Sequence, residues 1–383
     1  MTIRIDETQS RSDIKNFIRF SFNIYLGHSC WIPPIISDEL DMFSPRKNPA
    51  FEFCDVKCWV ARSGGRIVGR AAGIINHRSN DIRGEKKARF GWIDFIDDLD
   101  VSKKLLSTVE EWARSLGMDA VHGPLGFTDL DPEGMLVDGF DELGTIATIY
   151  NHPYYPAHLE ELGYVKDVDW VEFEILVPEE MPERVTRVAE IARKRHHLRV
   201  YEARKTRDLL QFKGEVFSLL NESFANLYGF VPLTEQQIEM YASKYFNFLQ
   251  PKFVSIVLDR EDKVAAFGIT MPSLSRAFQR CRGRLLPLGL IHVLRAMRRN
   301  DRADMYLVAV RPSLQGQGVN ALLLEQVGHA YREVGVRRTE TNPELEHNAR
   351  VITQWKAFDH RQHKRRRCFV KRLGHSDGEM ASA

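Results

Sequence analysis

The sequence predicts an α/β protein of two tandem domains, each a central mixed, twisted sheet flanked by helices. Three observations carry this. The chain has 383 residues, more than one ordinary core holds and about right for two. Period-2 runs, the mark of strands, interleave with helical spacing along both halves. The order of those patterns in the first half recurs in the second, as internal duplication produces.

The first half opens with a short strand at Thr2–Ile5 and a helical run through Ile14, Phe17, Ile18, Phe22 and Tyr25, followed by a Pro-rich loop at Trp31–Pro34. Two β-rich runs, CDVKCWVARS and RIVGRAAGIIN, are joined by Gly64-Gly65, a hairpin signal. A third run, ARFGWIDFID, precedes the helix VSKKLLSTVEEWARS, which Gly117 stops. DAVHGPLGF reads as a buried strand, PAHLEELGY as a short helix and DVDWVEFEIL as a closing strand.

The second half repeats the plan. ERVTRVAEIARKRHHL and LLQFKGEVFSLLNESFANLYG read as helices on either side of a strand, LRVYEA. In TEQQIEMYASKYFNFL, Thr234 with Gln237 three residues on forms a capping box. FVSIVLDRED and KVAAFGITMPS repeat the hairpin; then come strand MYLVAVRP, helix GVNALLLEQVGHAYREVG, strand VRRTETN, helix ITQWKAF and a last strand, KRRRCFVKRL. Prolines and acids in VPEEMPE break all periodicity, which places a linker at 177–184 between domains at 1–176 and 185–374. Residues 375–383 read as a disordered tail.

A composition of 43% hydrophobic and 28% charged residues is that of a globular protein. No stretch approaches the roughly 18 apolar residues a membrane span needs. The N-terminus lacks the apolar segment of a secretory signal, so a cytoplasmic protein is expected. Five cysteines form an odd set without paired metal spacing, which points to reduced thiols and no metal. A net charge of +2 argues neither for nor against nucleic acid, which is not expected because the basic run HKRRRCFVKRL alternates Cys368, Val370 and Leu373 with charges as a half-exposed last strand does.

The chemistry lies in Leu307–Asn320. A buried strand ends at Val310-Arg311-Pro312, and Gln315-Gly316-Gln317-Gly318-Val319-Asn320 turns into a helix. Successive main-chain N–H groups at such a turn converge on one anion, the helix N-terminus adds favourable charge, and the missing Cβ of Gly316 and Gly318 lets phosphate oxygens approach. The segment resembles the signature of the GNAT acetyltransferase superfamily, Q/R-x-x-G-x-G/A after a strand ending near V-x-P. Gln315 and Gly318 match it, whereas Asn320 stands where Gly or Ala is usual.

The resemblance implies a V-shaped opening between two neighbouring parallel strands, here MYLVAV and VRRTETN. It implies acetyl-CoA or another acyl-CoA as co-substrate, with its pantetheine along Val308 and Val310, its pyrophosphate on Gln315–Asn320, and Asn348 near the final helix. The reaction implied is N-acyl transfer to an amine of a small molecule or peptide. The superfamily's usual acid is a Tyr after N-x(6), followed by K-x-G-F; this chain has Asn348 and then Trp355-Lys356-Ala357-Phe358. The base is expected to be Glu346 or Glu340, or a water held by Asp304 or Tyr306. A non-catalytic ligand-binding protein of the same fold is the alternative that Trp355 and Asn320 raise.

In the first half the corresponding turn, ARFGWIDFIDDLD, has four aspartates and no glycine-rich loop, so no second cofactor site is expected. The long loop from Gly123 to Tyr155 instead offers Tyr150, Asn151, Tyr154 and Tyr155 as candidate acceptor-binding residues. Between Met271 and Asn300 there are seven arginines and no acid, and RLLPLGLIHVLRAMRR is amphipathic. An insertion packed on its domain with a solvated basic edge is the expected reading; a membrane-surface helix serving a long-chain acyltransferase is the rival.

Overall fold

A computed structural model describes residues 2–374, apart from the side chains of Tyr245 and Asn247; the expected tail at 375–383 lies outside the described residues. The first half contains β1 (Ile3–Glu7), α1 (Arg11–Ile24), α2 (Ile36–Met42), β2 (Cys54–Ser63), β3 (Arg66–Asn76), α3 (His77–Arg83), β4 (Lys87–Phe95), α4 (Leu99–Ser115), β5 (Ala120–Gly123), β6 (Met135–Asp138), α5 (Tyr154–Glu161) and β7 (Val165–Leu176). The second contains α6 (Glu183–His196), β8 (Arg199–Tyr201), α7 (Lys213–Phe224), α8 (Glu235–Tyr245), β9 (Val254–Leu258), β10 (Val264–Pro272), α9 (Ser275–Cys281), α10 (Gly289–Arg298), β11 (Arg302–Val310), α11 (Val319–Val334), β12 (Arg338–Glu340), β13 (Glu344–Leu345), α12 (Ala349–Gln354) and β14 (His360–Arg372).

Local chemistry sets these bounds. Gly64 and Gly65, both at positive φ, make the β2–β3 turn. Ser10 and Asp13 close a capping box on α1, and Thr234 and Gln237 close the expected one on α8. Asp98, one of the four aspartates of the first half, accepts the Asp100 N–H as the N-cap of α4. Of the amphipathic helix read from sequence over RLLPLGLIHVLRAMRR, the part through Pro287 is a loop and α10 starts at Gly289; α9 precedes it and ends on Arg282 at φ +47°.

All the main strands join one continuous sheet in the order β1-β2-β3-β4-β5-β14-β7-β12-β11-β10-β9-β8, with β6 added on β14 and β13 on β7. The order is reciprocal about its centre. The last strand of the chain, β14, lies against β5 of the first half, and β7, the last strand of the first half, lies against β12 of the second. Side chains follow the exchange. Phe369 of β14 and Leu373 just after it are buried with Phe90, Leu105 and Tyr155 in the first-half core, while Val171, Phe173 and Ile175 of β7 pack on Trp355 and Leu324 of the second half. The linker expected at 177–184 connects β7 to α6, and the sheet continues across it.

Each half contains one parallel pair that opens. β4 and β5 pair from Lys87–Ala120 to Arg89–His122, and β11 and β12 from Arg302–Arg338 to Asp304–Glu340; beyond those positions the strands separate. Both β4 and β11 carry a register shift just past the opening, at residues 92–93 and at Tyr306. In the first half the opening is filled: the Leu125 N–H bonds the Phe90 carbonyl at 2.9 Å, and a Cβ on Gly91 would lie 2.4 Å from the Leu125 oxygen. No helix among the described residues is long and apolar enough to cross a membrane.

Candidate active site

In the second half the opening between β11 and β12 leads to the turn at Arg311–Gly318. Arg311 anchors the turn by an ion pair to Asp259 (2.8 Å) and a bond to the Val264 carbonyl (2.8 Å). The main-chain N–H groups of Gly316, Gly318, Val319 and Asn320 make no hydrogen bond to main chain among the described residues. They are the orphan donors of a helix start, since α11 has no side-chain cap on Gly318. The buried Asn320 Oδ1 also lacks a partner. The four N–H groups fit a pyrophosphate, which would accept from them, whereas the Asn320 Oδ1 is itself an acceptor and takes no part in that fit.

The two glycines have different jobs. Gly316 (φ +74°) faces open space, whereas a Cβ on Gly318 (φ +82°) would meet Val188 Cγ1 of α6 at 2.6 Å. Gly318 is therefore fixed by helix packing as well as by the turn. The exposed Gln315 and Gln317 donate to the Val310 and Ser313 carbonyls at 3.1 and 2.6 Å. Val319 is a core residue between α6 and α11, so it offers only its main chain. Val308 stands 44% exposed in mid-strand, beside the gap, while the Val310 carbonyl already accepts from Ser223 and Gln315.

At the mouth of the opening, burial and the neighbouring Glu340 push the Asp304 carboxyl up to about 7, against hydrogen bonds from Ser273 and from the Tyr306 hydroxyl (3.2 Å). Lys364 donates to Glu340 and, at 3.3 Å, to Glu172, which also takes Arg366. Burial opposes ionisation of Glu172, but the charges of Arg366 and Lys364 prevail and hold it down to about 2. His363 lies 3.4 Å from Glu340 and 3.5 Å from Glu142. Ser273, Arg302 and Glu142 then border a cavity of about 470 Å³, whose other walls include Arg276, Arg280 and Arg299.

Glu340 and Glu346 do not act together. Glu340 pairs with Glu174 across the ladder, whereas Glu346 bonds the Asp169 carbonyl, five residues along regular β7 and so on the opposite face. There it is held by Lys166 (2.5 Å) and Arg365 (3.0 Å). Asn348 caps α12 through Val351 N–H. Trp355, in place of the usual acid, is buried and donates to both oxygens of Glu344 at 3.0 and 3.1 Å, whose carboxyl burial raises to about 8.

The four candidates in the long loop lie within the first half. Tyr150 donates to the Phe140 carbonyl, Asn151 exchanges two bonds with Leu136, Tyr154 donates to the Phe95 carbonyl, and Tyr155 accepts from Phe95 N–H beside Tyr25. Tyr150 and Asn151 thus satisfy main chain within the loop, while Tyr154 and Tyr155, on α5, bond β4. The part that reaches the cavity is Glu142 and Leu143. Sequence reading passed over these two, and it also passed over Ser273. Asp304 had a signal: it is the carboxylate directly before the apolar run MYLVAV.

No protein-family model matches the chain. Protein YghO of Escherichia coli (strain K12) is 26% identical over 374 residues, covering 95% of this chain and 94% of that one. A bacterial ceramide synthase of Caulobacter vibrioides (strain NA1000 / CB15N) is 26% identical over 287 residues, 74% of this chain and 73% of that one. Among solved structures, a tandem GNAT protein from the clavulanic acid biosynthesis pathway superposes with a TM-score of 0.56 at 14% identity, over 98% of this chain and 100% of that one. The chain thus has the GNAT acetyltransferase fold, in its tandem form.

Proposed function

We propose that the protein is an acyl-CoA-dependent N-acyltransferase whose donor lies in the second-half opening and whose acceptor enters through the cavity between the halves. One observation carries this: β11 and β12 pair only as far as Asp304 and Glu340, where a buried carboxyl is raised to about 7, and β11 goes on to a helix start with four N–H groups that bond no main chain. The first-half opening, closed by Leu125, provides the contrast.

An acyl-CoA supplies an activated acyl carbon, and an amine attacking it must lose a proton. Asp304 is the group placed to take that proton, through Ser273 or a water, because its value near 7 leaves it half ionised at neutral pH and basic enough to accept. Glu340 stays paired with Lys364 and tunes Asp304 by its charge. Glu346, in an ion-pair cluster on the other face, holds β13 to β7 and β14. With Trp355 bonded to Glu344, protonation of the departing thiolate falls to solvent.

A long-chain version of the reaction, with an amphiphilic amine as acceptor, is favoured by the name of the Caulobacter relative and by the arginine-lined cavity. Thiol release from acetyl-CoA and from a long-chain acyl-CoA, measured over short amines, peptides and long-chain amino alcohols, tests both. Release with any acceptor supports the transferase reading. A lack of release with every pair, despite donor binding, would leave the non-catalytic ligand-binding alternative.

A further inference from the structure

We propose that the α9–α10 segment is a docking face for an anionic lipid bilayer. Leu286, Leu288, Leu290, Ile291 and Leu294 are exposed by 73, 67, 37, 60 and 45%. They are five of the sixteen large hydrophobic residues exposed among the described residues, gathered within nine positions. Scattered exposed leucines need no explanation, but a contiguous group does. On α10 the buried side is Gly289, Val293 and Ala296, and the opposite side carries Leu290, Ile291, Leu294 and Arg298 at helical spacing.

Charge identifies the occupant. Between Met271 and Asn300 the chain has seven arginines and no acid. Among the described residues, Arg282, Arg284, Arg295, Arg298 and Arg299 form no ion pair. Apolar side chains within a collar of unpaired arginines match an anionic interface, where leucines enter the acyl boundary and guanidinium groups stay with the phosphates. A second copy of the same face would bring like charges together. The segment is also held in place: Gln279 donates to the Ser29 and Trp31 carbonyls at 2.7 and 3.1 Å, and Gly283 accepts from Ile36 N–H at 3.0 Å. An element anchored this way presents its leucines without an ordering cost at the membrane.

The docking stands on this face alone. Its link to chemistry rests on the transferase reading: the cavity lined by Arg276, Arg280, Arg295 and Arg299 is also lined by Ser273, the partner of Asp304, so a lipid amine entering it from the bilayer would meet the acceptor side.

Vesicle flotation without any acyl-CoA separates the two claims. The whole protein is floated with phosphatidylcholine vesicles and with vesicles containing 30% phosphatidylglycerol. Two triple variants are compared, Leu286→Ser/Leu288→Ser/Ile291→Ser and Arg282→Gln/Arg284→Gln/Arg298→Gln, all at exposed positions that leave the core intact. Binding to the anionic vesicles only, weakened by 0.5 M salt and reduced about tenfold or more in each variant, is the expected result. Failure of the wild type to float with anionic vesicles, or floating of both variants as well as the wild type, overturns the proposal. So does sedimentation velocity showing a dimer that the leucine variant dissolves, or titration showing inorganic phosphate bound equally by wild type and leucine variant without flotation. Thiol release with soluble amines reports on the transferase reading independently.

Discussion

Asp304 shows how much a single residue's environment decides. An aspartate in water ionises near 4, and this one is held at about 7 by burial and by Glu340. As the proposed base it is expected to give a kcat/KM that rises about tenfold per pH unit up to about 7 and levels off above it. Asp304→Asn is expected to remove that limb and lower kcat by about 10²-fold or more while leaving acyl-CoA affinity within a few fold. A variant retaining both rate and pH profile would show that Asp304 takes no proton. The stability sign runs the other way: the folded state holds the proton more tightly than the unfolded one, so this residue costs stability increasingly as pH rises from about 4 to about 7. Denaturation of Asp304→Asn should lack that decline. The sequence held Asp304 only as a water-holding group, because its tuning depends on Glu340 and Ser273, 36 residues after it and 31 before it, respectively. The partners of Tyr150, Asn151, Tyr154 and Tyr155 were not legible for the same reason: their hydroxyls and amide bond Phe140, Leu136 and Phe95, which lie 10 to 60 residues earlier in the chain.

Among the elements, the strand-turn-helix at β11–α11 was the most legible, since glycine spacing, the proline and the apolar period act within a short stretch. The strand order was not, because pairing partners are set by which apolar faces meet across the whole chain. The glycines predict separable effects. Gly318→Ala must displace Val188 and strain a positive φ, and is expected to cost about 2–3 kcal/mol in chemical denaturation. Gly316→Ala meets only the backbone cost of about 1 kcal/mol. Equal costs would mean that α6 and α11 are not packed as described. The basic segment shows the limit of periodicity. Its amphipathic pattern was visible, but which side faces the protein depended on its contacts with Phe22, Ile35 and Ile36, far earlier in the chain.

For the whole molecule, duplication was readable but the exchange of final strands was not. Each half lends the other the strand that completes its sheet, so neither 1–176 nor 177–383 holds a full core. Each fragment alone is expected to be unfolded or aggregated by circular dichroism and size exclusion, and co-expression to restore a 1:1 complex. Independent folding of both would contradict the exchange. Phe369→Ala, at the end of the chain, should cost about 3–5 kcal/mol and raise hydrogen exchange in β4 and α4 of the first half. The same architecture lets one opening close on Leu125, and the other, beyond Asp304 and Glu340, is the proposed place of the acyl donor. Isothermal titration of the wild type and of Gly316→Asp with acetyl-CoA and a long-chain acyl-CoA tests it most directly. The open space at Gly316 admits the aspartate, whose charge beside the pyrophosphate should weaken binding about tenfold or more. Binding by the wild type that falls in this way is the predicted result, whereas no binding of either donor, or equal binding by the variant, would contradict it.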